Sequence, residues 1–149
     1  MAVSAVPKLE RFFRSAANLA IDKDDLLRYE EFLYGKLYTM LLIGQARAKA
    51  EFREVLEPWD LPVTRGLQDR VHEYRTLGAE MDLDPILEYL ATRSPLDVVL
   101  SKETEDRLAP IVGGMSIALA RAFTVIAPRV VRPAPEHWER VRQVFDLLL

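Results

Sequence analysis

Trp59-Asp60 and Trp138-Glu139 are one segment written twice, and they contain the only two tryptophans of the chain. The first copy reads Arg53-Glu54-Val55-Leu56-Glu57-Pro58-Trp59-Asp60, the second Arg132-Pro133-Ala134-Pro135-Glu136-His137-Trp138-Glu139. Arginine, glutamate, tryptophan and the final acid all recur at one offset (138 − 59 = 79). Upstream the offset persists: Ile21-Asp22-Lys23-Asp24 matches Leu100-Ser101-Lys102-Glu103, Arg28 matches Arg107, and Gly35 matches Gly114. Nearer the start of each half it becomes 78 (85 − 7 = 78), where Pro7-Lys8-Leu9-Glu10-Arg11-Phe12 matches Pro85-Ile86-Leu87-Glu88-Tyr89-Leu90. A one-residue loop insertion accounts for the change. Two units of this length are too few for a solenoid, so the chain reads as one duplicated domain with repeats 1–78 and 79–149.

Its 149 residues are enough for one well-buried core and few for two independent domains. Without cysteine, disulfides, thiol catalysis and Cys-type zinc sites are excluded. The apolar run Ala2–Val6 before Lys8 is too short for a signal peptide, and no window reaches 18 uninterrupted apolar residues. A cytoplasmic protein is expected. The net charge of −3 is not that of a strongly basic nucleic-acid packager.

Each half reads as short helix, loop, long helix, loop, short helix. Pro7 suits a helix start, and Leu9, Phe12, Phe13 and Ala16 form its apolar stripe. Asn18 and the β-prone Leu19-Ala20-Ile21 end it, and Asp22 is the expected cap of a long helix running to about Ala50. Leu26, Tyr29, Leu33, Leu37 and Met40 line one face, widened by Phe32, Leu41, Leu42 and Ile43. Asp60 is expected to cap a third helix carrying Val63, Leu67, Val71, Tyr74 and Leu77, with Gly78 as terminator. The second half repeats the plan: Pro85–Thr92, the β-prone Val98-Val99-Leu100, a long helix capped by Ser101 and stopped by Pro128, and a last helix over Glu136–Leu149. Pro110 should kink the second long helix, and Gly113-Gly114 lowers local helicity or permits close packing.

A short–long–short helical unit used twice resembles the histone fold, in which two units clasp with each first loop paired to the partner's second loop. Histone-fold proteins carry an arginine in the second loop clamped to an acid at the start of the third helix. That resemblance implies the structural clamps Arg53–Asp60 and Arg132–Glu139. The whole chain is similar to an uncharacterised bacterial family in which two histone folds are fused into a single-chain pseudodimer. Glu57-Pro58-Trp59-Asp60-Leu61-Pro62, Lys23-Asp24-Asp25-Leu26 and Val144-Phe145-Asp146-Leu147-Leu148-Leu149 carry the likeness. It implies an all-α, duplicated fold.

The resemblance also implies phosphate contacts where the loops meet: Lys23 beside Arg129 and Arg132, and Lys102 beside Lys49 and Arg53. Against this, Lys23 stands among Asp22, Asp24 and Asp25, and Lys102 before Glu103, Glu105 and Asp106. Carboxylates beside a phosphate oppose binding, whereas in a helix's first turn they complement the macrodipole. Lys8, Arg11 and Arg14 form a basic strip on the first helix, usable for phosphates or as a solvated face. Trp59 and Trp138 read as packing residues rather than base-stacking platforms. His72 and His137 are the only histidines, and Asp69 with His72 has no matching partner in the other half. His-Glu-x-x-His, glycine-rich phosphate loops and Gly-x-Ser-x-Gly are absent. No catalytic residue, cofactor or metal site is expected. The leading expectation is a non-enzymatic interaction scaffold whose acidic faces recruit protein. The alternative is a weak, sequence-independent DNA binder associated with the nucleoid.

Overall fold

The computed structural model describes residues 5–81 and 96–148, and the helix expected at Pro85–Thr92 lies outside them. The described elements are α1 (Ala5–Ala17), α2 (Lys23–Ala50), β1 (Val55–Leu56), a 3-10 turn (Pro58–Asp60), α3 (Arg65–Met81), β2 (Val99–Leu100), α4 (Lys102–Ile126) and α5 (Pro135–Leu148). The architecture is mostly helical.

Local chemistry sets the helix ends. Asn18 adopts a left-handed backbone (φ 53°), which asparagine tolerates, and the Leu19 N–H returns to the Phe13 carbonyl at 3.2 Å. Asp22 and Asp25 close a reciprocal capping box, each side chain accepting the other's backbone N–H at 3.0 Å. Ser101 caps α4 through the Thr104 N–H at 3.2 Å. Two expectations about α3 are corrected. It begins at Arg65 with Thr64 accepting the Leu67 N–H at 3.2 Å, because Asp60 already closes the 3-10 turn before it. It also runs through Gly78 to Met81, since glycine lowers helicity without ending a helix that tertiary packing holds. In the second copy α5 starts directly at Pro135, a residue favoured in a first helical turn.

The two halves interlock. β1 pairs in parallel with β2, Val55 against Val99 and Leu56 against Leu100. At the other end one backbone bond, from Ala20 N–H to the Val131 carbonyl at 2.7 Å, joins the corresponding loops. Pro133 and Pro135 follow Val131 and supply no N–H to extend that pairing. Leu9, Phe12, Phe13, Tyr29, Leu33 and Leu41 from the first half are buried in one cluster with Val112, Leu119, Phe123 and Val141 from the second. Inside it the Tyr29 hydroxyl and Ser116 Oγ share a 2.7 Å hydrogen bond, and Ser116 Oγ donates to the Val112 carbonyl at 2.8 Å. Burial pushes the Tyr29 phenol well above its usual range.

Gly113 and Gly114 permit the close packing expected of them. A Cβ on Gly113 would collide with the Tyr74 ring, and one on Gly114 would stand 2.8 Å from Val71 N, so α3 lies directly on the α4 backbone. α4 runs unbroken across Pro110. Among the described residues it is the one helix long and apolar enough to cross a membrane by length and composition, and more than half of its most apolar window is buried. Leu42 and Ile43, expected to widen the α2 stripe, are 39% exposed, as is Leu77 on α3 at 37%.

Candidate functional site

Arg53 and Asp60 form the expected clamp. Arg53 follows the end of α2, where Phe52 takes a left-handed backbone (φ 59°) and the Arg53 N–H returns to the Ala48 carbonyl at 2.9 Å. Its guanidinium then grips both Asp60 carboxylate oxygens, at 2.8 and 2.7 Å, and also meets Glu51 and the Val55 carbonyl. Asp60 additionally accepts the Glu57 N–H at 2.9 Å. The guanidinium bond holds the Asp60 carboxyl below its ordinary range and raises Arg53 in turn. Arg47, exposed on α2, donates to the Asp60 carbonyl at 3.2 Å.

The Arg132–Glu139 clamp is not made. Because α5 starts at Pro135, Glu139 lies a full turn inside a helix rather than at the end of a 3-10 turn, and it pairs with Arg142 three residues on. That bond lowers the Glu139 carboxyl, and Arg132 remains exposed. His137 serves the helix start instead, its Nδ1 accepting the Ala134 N–H at 2.8 Å.

The two tryptophans also part company. Trp138 is buried, edge-on to Phe123 and Phe13 with ring centroids at 4.8 and 6.2 Å, and its indole N–H donates to Asp25 at 2.8 Å. Desolvation raises the Asp25 carboxyl, while Asp22 is lowered by the Asp25 N–H. Trp59, expected to pack, is 67% exposed. The residue that matches Asp25 is Thr104 (25 + 79 = 104), whose hydroxyl donates to the Leu56 carbonyl at 2.8 Å. Thr104 therefore supports the β1–β2 junction and, unlike Asp25, has no carboxylate to offer the matching tryptophan.

The cations expected at the loop junctions divide by end. At the Ala20–Val131 junction Lys23, Arg129 and Arg132 are exposed, and Arg14 is exposed near the end of the helix leading into it; none of the four enters an ion pair among the described residues. Arg11 is likewise exposed on α1, and Lys8 is half-buried with a bonding partner of its own. At the β1–β2 junction Lys49 pairs with Asp97 at 3.1 Å, Lys102 with Asp106 at 3.5 Å, and Arg53 is held in its clamp.

Two further features escape sequence reasoning. An apolar groove of about 440 Å³ opens between the start of α3, the middle of α4 and the end of α5, lined by Leu67, Met115, Ala118, Ala122, Val144 and Leu148. Leu67, Met115, Ala122 and Leu148 belong to helix faces that periodicity assigns to the core, so only the mutual placement of the three helices leaves a concavity between them. Between α2 and α5 lies a groove of about 690 Å³ crossed by charge pairs that join Lys36 to Asp146, Asp146 to Arg142 and Arg142 to Glu139. Lys36 holds the Asp146 carboxyl below its usual range. No cluster of three metal-ligating side chains occurs among the described residues.

Residues 9–146 match the model of a family described as a domain of unknown function, DUF1931. The chain is 38% identical to a protein of Thermus thermophilus of known crystal structure, with a TM-score of 0.86 over 97% of both chains. A 1.9 Å crystal structure of an Aquifex aeolicus protein, 20% identical, shares the fold with a TM-score of 0.84 over 96% of this chain and 94% of that one. An uncharacterized protein of Aquifex aeolicus (strain VF5) is 24% identical over 142 residues, 93% of this chain and 81% of that protein.

Proposed function

We propose a function for this chain from the premise that it belongs to the DUF1931 family: it is a single-chain histone-fold pseudodimer acting as a non-enzymatic, protein-binding scaffold. The pseudodimer reading is supported by the two junctions, each joining the first loop of one half to the second loop of the other, and by the Arg53–Asp60 clamp. In this reading repeats 1–78 and 79–149 make one compact domain, and fusion renders their association intramolecular.

The apolar groove between α3, α4 and α5 carries the protein-binding reading. Leu148 is 74% exposed and Val144 37%, on a surface whose concave floor is almost wholly nonpolar. A nonpolar concavity with exposed leucine at its rim is suited to aliphatic anchors from a partner helix or loop. Affinity capture from cell lysate, with and without nuclease, tests it. Partners should survive nuclease treatment and be lost from the double variant Val144→Glu, Leu148→Glu. Capture that disappears with nuclease would reject the protein scaffold.

A second reading, weak DNA binding, is favoured by one observation: Arg14, Lys23, Arg129 and Arg132 are exposed toward one end of the molecule and enter no ion pair among the described residues. Asp22 and Asp24 beside Lys23 oppose it, so the expected affinity is in the nonspecific range, about 10⁻⁴–10⁻⁶ M at physiological salt. Labelled duplex titrated at two salt concentrations measures it. Lys23→Glu with Arg129→Glu should abolish such binding, whereas Lys102→Glu, already paired, should have little effect.

A further inference from the structure

The α2–α5 groove has a counterpart related by the 79-residue repeat, and the two differ in charge. The counterpart, about 560 Å³, lies between α3, α4 and the 3-10 turn. Arg107 stands in it where Arg28 stands in the first groove, Ile111 where Phe32 stands, and Trp59 where Trp138 stands. Behind the first groove the buried Asp25 accepts the Trp138 indole N–H and lies 3.6 Å from Arg28. Thr104 stands at the matching position in the second half and is occupied with the Leu56 carbonyl, so one replacement removes the acceptor that holds both the tryptophan and the arginine. The first groove contains as many carboxylates as cations, and its ion pairs cross-link it. The second is lined by Arg75, Arg107 and His72 and, among the described residues, by no carboxylate. Gln68, His72 and Arg75, at spacings of four and three, present one face of α3 to it. Asp106 on α4 is next in sequence to Arg107, and Glu73 and Asp69 on α3 are next to His72 and Gln68; among the described residues none of the three lines the groove, Asp106 pairing with Lys102 and Glu73 with Arg70 and Arg121.

We propose that this groove binds a nucleotide, its base stacked on Trp59 and its phosphate held by Arg75 and Arg107. The volume is that of a small-molecule site. An exposed indole offers a stacking face that every base can use, and two guanidiniums that enter no ion pair among the described residues offer donors to phosphate oxygens. Val71 and Ile111 provide apolar floor between them. The same chemistry is presented by a free mononucleotide and by the phosphorylated end of a single strand. The site is separate from the loop-end cations and does not rest on the duplex-DNA reading.

The test follows the two indole N–H resonances of the full chain by NMR during titration with adenosine 5′-monophosphate. The Trp59 signal should shift saturably while that of buried Trp138 stays in place. Trp59→Ala should weaken binding about tenfold or more, and Arg75→Gln with Arg107→Gln should do likewise and flatten its salt dependence. All three side chains are exposed, so the variants should melt with the wild type. A 5′-phosphorylated oligothymidylate binding at least about tenfold tighter than the mononucleotide identifies a single-strand end; equal affinity identifies the free nucleotide. The proposal fails if the Trp59 signal shows no saturable shift up to about 10 mM. It also fails if inorganic phosphate competes as well as the nucleotide, since the ring would then go unread. A shift produced by an acidic tyrosine-containing peptide but not by the nucleotide would overturn it in favour of a protein ligand.

Discussion

Asp25 and Thr104 are each the third residue after a long-helix cap, and the difference between them decides what the two tryptophans do. Removing the indole donor in Trp138→Phe leaves one Asp25 oxygen without its buried partner, which costs about 1–3 kcal/mol. Trp59→Ala removes an exposed side chain and should change stability by no more than about 0.5 kcal/mol. Urea unfolding of the two variants checks the contrast, and equal losses would contradict it. Asp60 supplies a pH-dependent counterpart. Its carboxyl is depressed mainly by the Arg53 bond, so its stabilising contribution is complete above the unfolded value of about 3.9 and is lost as pH falls towards the lower folded value. The difference in urea midpoint between wild type and Asp60→Asn should therefore be constant above about pH 5 and close below about pH 4. A difference that ignores pH would mean that the charge of the clamp does not matter. Arg53→Ala should lower the midpoint clearly, whereas Arg132→Ala, with no clamp to break, should leave it in place.

Among elements, the long helices α2 and α4 share a plan and differ in how closely another helix approaches. Gly35 on α2 faces open space, while its match Gly114 on α4 lies against the α3 backbone. Gly35→Ala should gain about 0.5–1 kcal/mol from the better helix former. Gly114→Ala makes the same intrinsic gain but drives a methyl into Val71, and overpacking of about 1–3 kcal/mol should outweigh it. Thermal melts should move in opposite directions. If both variants melt higher, α3 is able to withdraw from α4.

For the whole molecule, the bonds that matter most span the repeat boundary: Tyr29 to Ser116, Trp138 to Asp25, and β1 to β2. Residues 1–78 alone would lose all three and expose Leu33, Leu37 and Leu41, which are buried in the full chain. That fragment should aggregate or pair with itself, whereas the full chain should unfold in one cooperative transition. Light scattering coupled to size exclusion, with circular dichroism, distinguishes the outcomes. A soluble monomeric fragment with native helicity would show that the halves do not need each other.

Periodicity and caps are enough to read the described helices from the sequence, the ends of α3 excepted, because each depends on residues close together along the chain, while the Arg53–Asp60 clamp is read through the resemblance to histone-fold proteins. The second clamp, implied by the same resemblance, is not made, because α5 begins at Pro135 and Glu139, inside that helix, pairs with Arg142. Equivalence in the repeat conceals the opposite fates of Trp59 and Trp138, since each is decided by a residue 113 or 45 positions away on another helix (138 − 25 = 113; 104 − 59 = 45). The grooves are likewise tertiary: local pattern says which face of a helix is apolar or charged, but only the packing of the helices decides whether that face is covered.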